Sequence, residues 1–400
     1  MVAFNQIQYL FPNQLDYEQW RMQRPDTPFS EDVLAYINAL SASLLRDPQS
    51  RQYPDVITFA FYCRKANLLR LKEEYQSAKI RLGRGMAFHI APSNVPINFA
   101  YSLVAGLLAG NYNVVRVSSK DFVQVDIVLR NMFSLQEDYP EISRRIAIVR
   151  YEHDSNANAI FSADCHVRVI WGGDRTIQQI RENALPARSF DICFADRYSF
   201  AMFNAEELVN ESDMDAFALR FYNDTYLFDQ NACSAPHLIV WLGNTSNVVK
   251  AKQLFWSAVQ NLVDKRYVLQ DIQAVDKLTV LYRQSVAMNI RAEEYTNNVL
   301  RRVELSQLPN DIDEYRCAGG YFTEYTAQTL DEIVPIIKNK YQTIAYYGLE
   351  KDDLISFVNR NKIVGVDRIV PVGETTAFSL IWDGYDLINT MSRIVDVLLC

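Results

Sequence analysis

Along the first eighty residues, apolar side chains return about every 3.6 positions. In Glu31–Arg46 they fall at Val33, Leu34, Ile37, Leu40, Leu44 and Leu45, one face of an amphipathic helix that begins after Ser30. Pro54–Gln76 continues the pattern and closes on the mixed charges Arg70, Lys72, Glu73 and Glu74. Residues 1–80 therefore predict a helical apron. From Gly85 the period changes. Gly85–Ala91, Asn113–Val117, Ile146–Tyr151, Val167–Trp171 and Ile192–Ala195 are apolar runs of strand length, and Val95–Leu108, Asp121–Leu135 and Asp174–Asn183 read as helices between them. Such alternation predicts βαβ units on a mainly parallel sheet. A second series starts near Tyr226, with a strand at His237–Leu242 and a helix at Val248–Val263. Further strands are expected at Asp276–Tyr282, Arg316–Tyr321 and Thr343–Tyr347. The expected organisation is a helical region 1–80, a first α/β domain 81–225, a second 226–365 and a C-terminal segment 366–400.

Composition narrows the function classes. With 49% apolar and 22% charged residues among 400, the chain has the make-up of a globular protein. A net charge of −8 offers no global basic field, so no nucleic-acid partner is expected. The longest nearly apolar run, Phe99–Ala109, is too short to span a bilayer. Met1–Asn13 lacks the basic and apolar regions of a secretory signal. Six scattered cysteines without a CxxC pair read as reduced thiols of a cytoplasmic protein, with neither disulfides nor a metal site expected.

Five segments can carry chemistry. Ala91-Pro92-Ser93-Asn94-Val95-Pro96 joins a strand to a buried helix, where Asn94 either caps the helix or donates to a developing oxyanion. At the end of the next strand, Arg116, Ser118, Ser119 and Lys120 crowd together, which suits a ribose or phosphate and equally suits a solvated loop. Trp171-Gly172-Gly173-Asp174 is again a strand-to-helix junction. Its paired glycines permit close backbone approach to a ligand, or serve a tight turn. Phe228-Asp229-Gln230-Asn231-Ala232-Cys233-Ser234-Ala235-Pro236 is a polar loop running into a buried strand, and a cysteine there can be partly exposed and nucleophilic. Cys63 and Cys193 lie in apolar segments, Cys400 ends the chain, and His237 starts a strand, which favours a structural role for it over that of a base. The last segment is Gly365–Gly373, GVDRIVPVG, followed by Trp382-Asp383-Gly384-Tyr385.

Taken in order, APSNVP, LLAGN with VVRVSS, VIWGGD, FDQNACSAP and GVDRIVPVG with WDGYD resemble the aldehyde-dehydrogenase superfamily, in particular its LuxC-type acyl-CoA reductases of bacterial bioluminescence. The resemblance spans about residues 83–395. It implies an aldehyde-dehydrogenase-like α/β fold, with a Rossmann-type NADP-binding domain at 81–225 and a catalytic α/β domain at 226–365. It implies Cys233 as nucleophile and Asn94 as oxyanion donor. The nicotinamide end of the cofactor would lie near Gly172 and Gly173, and the adenosine ribose near Arg116, Ser118, Ser119 and Lys120.

Two departures from aldehyde-oxidising relatives are informative. Aligned on Ser199, the glutamate that activates hydrolytic water is replaced by Phe194, which suits an enzyme that keeps its thioester from water. The acid that binds the ribose hydroxyls is replaced by Ser119, with Lys120 following, so NADPH is the expected cofactor. The expected reaction is reduction of an acyl-CoA, long-chain fatty acyl foremost, to the aldehyde through a cysteine acyl-enzyme. A homo-oligomer and an acyl-protein synthetase partner are implied with it. The alternatives are a non-reducing cysteine acyltransferase or thioesterase, and a degenerate dehydrogenase fold used as an interaction subunit.

Overall fold

The computed structural model describes residues 7–77, 79–152 and 155–397, so Cys400 lies outside the described residues. Contacts divide the chain into two units. The first is Met1–Ala195 with Leu380–Cys400, and the second is Asp196–Ser379.

The first unit opens with β1 (Gln8–Phe11), a single helical turn at Tyr17–Trp20 and three longer helices, α1 (Glu31–Arg46), α2 (Pro54–Tyr62) and α3 (Lys65–Glu74). Strands β2 (Met86–Ile90), β3 (Tyr112–Arg116), β4 (Ile146–Arg150), β5 (Val167–Trp171) and β6 (Phe190–Phe194) follow, with α4 (Asn98–Leu108), α5 (Val123–Ser134) and α6 (Asp174–Arg181) among them. The sheet order is β1-β4-β3-β2-β5-β6. All neighbours run parallel except β1, which joins β4 antiparallel. The helical reading of residues 1–80 therefore needs one correction, because Gln8–Phe11 is an edge strand. β2, β3 and β5 are buried on both faces, and α4 is apolar nearly all round. Such elements can only be interior. The chain builds outward from β2 through β3 to β4, then returns to lay β5 on the other side of β2. The topological switch thus falls between β2 and β5, and open α/β sheets bind ligands beyond the strand C-termini at that point.

The second unit carries β7 (Tyr198–Asn204), α7 (Met214–Thr225), β8 (Pro236–Leu242), α8 (Thr245–Arg266), α9 (Asp271–Ala287), β9 (Ile290–Asn297), β10 (Leu300–Leu305), β11 (Tyr321–Ala327), β12 (Tyr341–Tyr347), α10 (Lys351–Asn361) and β13 (Arg368–Pro371). Its sheet order is β9-β10-β11-β8-β7-β12-β13, parallel except for the β9 edge. Alternation along β7 feeds two cores. Ala201 and Phe203 pack on one face with α7 and α8, while Phe200 and Met202 pack on the other with residues of α9 and α10.

Four expectations are corrected here. Asp276–Tyr282 is not a strand but the middle of α9, whose buried positions Lys277, Leu281 and Gln284 keep helical spacing. Arg316–Tyr321 is mostly loop, and β11 begins only at Tyr321. The unit boundary falls at Ala195/Asp196 rather than near 225, because β7 joins the second sheet between β8 and β12. The expected segment 366–400 is also split. Residues up to Ser379 belong to the second unit, whereas Ser392–Val395 pairs antiparallel with Ile80–Gly83 in the first. No helix of the described residues is long and apolar enough to cross a membrane.

Candidate active site

In the first unit, three of the singled-out loops lie at the C-terminal ends of adjacent strands. Asn94 follows β2, the Arg116–Lys120 group follows β3, and Gly172-Gly173 follows β5. Asn94 is exposed. It does not cap α4, whose N-cap is Ile97, so the capping explanation for this asparagine is gone. Asn98, at the first turn of α4, has a buried Oδ1 without a hydrogen-bond partner. It lies four residues beyond Asn94, inside the apolar run of α4, where nothing in the sequence sets it apart.

Arg116 is the most telling side chain of the group. It is 7% exposed, its Cζ lies 5.2 Å from the Tyr151 ring centre, and its Nε has no hydrogen-bond partner. Among the described residues no carboxylate forms a salt bridge with it. A buried guanidinium without an anion is costly, so the position fits an anionic group brought from outside the chain. Ser118 is buried with its Oγ accepting from the Lys120 N–H (3.1 Å), while Ser119 and Lys120 are exposed.

At Gly172-Gly173, the Gly172 N–H donates to the Phe194 carbonyl (3.1 Å). Gly173 caps α6 with an ordinary φ of −65°, and a Cβ there would meet nothing within 4 Å. Among the described residues nothing demands glycine at that position. Phe194 lies face to face on Trp171, ring centres 3.7 Å apart, with Tyr385 edge-on at 5.8 Å. A hydrogen-bonded chain fixes the indole from below. Trp171 Nε1–H donates to Ser102 Oγ (3.1 Å), which leaves the Ser102 proton for His89 Nδ1 (2.7 Å), and His89 Nε2–H donates to Asn113 Oδ1 (3.0 Å). Burial pushes the His89 pKa down to about 4, so the ring is neutral.

In the second unit, Cys233 lies just before β8 and is half-buried. Its loop is held from two sides. The Thr343 N–H donates to Ser199 Oγ (3.1 Å), and the Ser199 hydroxyl donates to the Cys233 carbonyl (2.7 Å). Gln230, buried and in the left-handed region like Asp229 before it, donates from Nε2 to the carbonyls of Pro236 (2.9 Å) and Tyr321 (3.1 Å). Its Oε1 accepts from the N–H groups of Gly320 (2.9 Å) and Tyr321 (3.2 Å). Neither role is legible in the sequence, because both side chains act on backbone groups distant along the chain. His237 is structural. Its Nδ1–H donates to the Cys317 carbonyl (3.1 Å), its ring stacks on Tyr198, and burial pushes its pKa down to about 3. Burial also raises the thiols of Cys63, Cys165, Cys193 and Cys317, and so suppresses their thiolates.

Compared with known proteins, residues 26–394 match the family model described as acyl-CoA reductase (LuxC). The chain belongs to the LuxC family. Similar curated relatives of that family include the long-chain acyl-protein thioester reductases of Photorhabdus laumondii, 22% identical over 321 residues, and Vibrio harveyi, 23% identical over 315 residues. Each alignment covers 78% of this chain and 63% of the relative, so the chain spans less than two thirds of the length of these LuxC proteins. Among solved structures, an aldehyde dehydrogenase 21 from Physcomitrella patens, crystallised with succinate, superposes with a TM-score of 0.68 at 12% identity, covering 94% of this chain and 87% of that one. The LuxC chain thus has the aldehyde-dehydrogenase fold.

Proposed function

We propose that this LuxC-family chain reduces a long-chain acyl thioester to the aldehyde, with the acyl group held on Cys233. The observation that carries the reading is the setting of Cys233, half-buried on a loop tied to the second sheet, while four other cysteines have thiols raised by burial. The Cys233 thiolate attacks the thioester carbonyl, the sulfur–carbon bond to the donor breaks, and the donor leaves as a thiol after taking a proton. Asn94 and the Cys233 N–H receive the oxyanion, roles assigned from the family motifs; one such donor is worth about 3–4 kcal/mol in the barrier. The donor is an acyl-CoA or, as the relatives' names indicate, an acyl-protein thioester.

The first unit fits a nicotinamide cofactor carrying a 2′-phosphate. Arg116 would hold that phosphate with Lys120, Ser118 and Ser119 would take the ribose, and Gly172-Gly173 would lie along the nicotinamide end. NADPH would supply the hydride that releases the acyl group from Cys233 as aldehyde. Phe194, stacked on Trp171, stands in the sequence where aldehyde oxidisers carry a water-activating carboxylate, which suits an enzyme that keeps its thioester from water. The test mixes the purified protein with acyl-CoAs of graded length and follows NADPH absorbance and thiol release. Oxidation of NADPH matched by thiol release, lost in Cys233→Ala with NADPH binding intact, is the expected result. Steady thiol release without NADPH would replace the reductase by a thioesterase, and turnover in Cys233→Ala would remove the nucleophile.

A further inference from the structure

Four arginines gather at the end of the first sheet that faces away from the loops already described. Arg84 stands two residues before β2, and Phe190, whose ring centre lies 4.8 Å from the Arg84 Cζ, begins β6. The loops of Asn94, Arg116 and Gly172 leave the opposite end of this parallel sheet. Two of the guanidinium groups are held in place. Arg84 Nε–H donates to the Thr390 carbonyl (2.7 Å), and its backbone N–H donates to Oδ1 of Asn111, the buried asparagine of the LLAGN run (2.8 Å). Arg81 donates from Nε to Ser392 Oγ (3.0 Å) and from Nη2 to the Asn389 carbonyl (2.8 Å). The exposed Arg393 lies opposite Leu82 in the strand pair of Ser392–Val395 with Ile80–Gly83, and the exposed Arg188 precedes β6.

The cluster lacks an acid. Among the described residues none of the four arginines forms a salt bridge, and the charges that act on Arg84 are those of Arg81, Arg188 and Arg393. Burial first, then these three like charges, hold the Arg84 pKa below its ordinary value. Asp386, the carboxylate at the start of the helix Leu387–Met391, is engaged by Asn389 and Tyr75. Both Nη groups of Arg84 and Nη1 of Arg81 are left without a hydrogen-bond partner among the described residues. Like charges brought together at such a place repel, so an arrangement that orders them without a carboxylate suits an anion from outside the chain. Guanidinium forks match phosphate oxygens two at a time. Four positive charges call for a ligand with more than one negative charge. The compactness of the group calls for a small one, since the other three arginines act on the single guanidinium of Arg84, while the chain's net charge of −8 opposes a long polyanion.

We propose that Arg81, Arg84, Arg188 and Arg393 form a second binding site, separate from the cofactor loops, for a small anion carrying two or more phosphate charges. The proposal is independent of the chemistry assigned to Cys233 and of the role assigned to Arg116, so each can fail alone. It is tested by isothermal titration of the full chain with sodium pyrophosphate, in the wild type and in Arg116→Gln. One pyrophosphate per chain should bind to Arg116→Gln with a Kd below about 1 mM. Adding Arg188→Gln and Arg393→Gln should weaken that binding about tenfold or more with an unchanged circular dichroism spectrum, since both side chains are exposed. Because Arg81 and Arg84 hang from residues 389–392, pyrophosphate should also slow amide exchange in Ser392–Val395, and this slowing should vanish with the two arginines. No binding that survives Arg116→Gln, or binding indifferent to Arg188→Gln with Arg393→Gln, would overturn the proposal. Sulfate binding as tightly as pyrophosphate would reduce the cluster to a site for an adventitious ion only. Tighter binding per phosphate by polyuridylate or by phosphatidylglycerol vesicles would replace the small ligand by a nucleic acid or a lipid surface, and overturn it as well.

Discussion

A half-buried thiol is only as well placed as the backbone beneath it, and at Cys233 that backbone carbonyl accepts a hydrogen bond from the Ser199 hydroxyl. Ser199→Ala removes the donor without changing the volume of the β7 core much. The expected outcome is a turnover about tenfold lower, near 1.4 kcal/mol in the barrier, with NADPH affinity unchanged. Alkylation of Cys233 by iodoacetamide should slow in parallel, and Ser199→Thr should restore both. Turnover equal to the wild type would mean that the loop needs no such anchor. Arg116 permits a second residue-scale prediction. A charge-assisted hydrogen bond is worth about 1.5–3 kcal/mol, so Arg116→Gln should weaken NADPH ten- to a hundredfold and leave NADH nearly unaffected. The comparison is read from fluorescence titration with both cofactors, and equal losses for the two would detach Arg116 from the 2′-phosphate. The sequence singles out Cys233 and Arg116 as candidates because their types and strand-end positions suit chemistry. It could not name Ser199 or Gln230, whose work is done on backbone groups that only the folded chain brings near.

Among the elements, β2 to β6 and the helices between them were legible because each strand is a short apolar run and each helix keeps an unmixed hydrophobic period. Helix α9 misled for a physical reason. Two of its three buried side chains, Lys277 and Gln284, are polar with hydrogen-bond partners and only Leu281 is apolar, so the apolar run Leu278–Tyr282 reads as a strand when burial is inferred from polarity. The link between the lead-ins of β8 and β11 was equally silent, since it is one amide side chain. Gln230→Ala would strip hydrogen bonds from two carbonyls and two N–H groups in a buried place, while Asp229 and residue 230 remain left-handed. Buried groups left unsatisfied cost about 1–3 kcal/mol each and do not add fully. A loss of about 3 kcal/mol is therefore expected in urea unfolding, with faster amide exchange at Gly320 and Tyr321. A change below about 0.5 kcal/mol would show that the clamp carries no load.

For the whole chain, the sequence announced two α/β regions but misplaced their division, because hydropathy does not say which sheet a strand will join. What neither pattern nor motif announced is that each unit holds a neutral histidine in its interior. His89 is pushed down to about 4 and His237 to about 3, both chiefly by burial. A histidine whose folded pKa lies below its unfolded value of about 6.5 contributes stability that is present above pH 6.5 and lost as pH falls toward the folded value. Between pH 7 and 5.5 each should cost about 1.2 kcal/mol. Asp224 works in the opposite direction. Burial pushes its carboxyl up to about 6 against the N–H bonds from Gly373 and Thr375, so protonation below pH 6 relieves a cost of the folded state. That return is about 0.8 kcal/mol over the same interval, and the net loss is on the order of 1.5 kcal/mol. Urea melts at pH 7 and 5.5 measure it directly. His89→Gln, which keeps an amide N–H for Asn113, should lower stability at pH 7 yet flatten the pH dependence by roughly the share of one histidine. Stability that holds level or rises on acidification in the wild type would show that at least one ring can be protonated inside the fold.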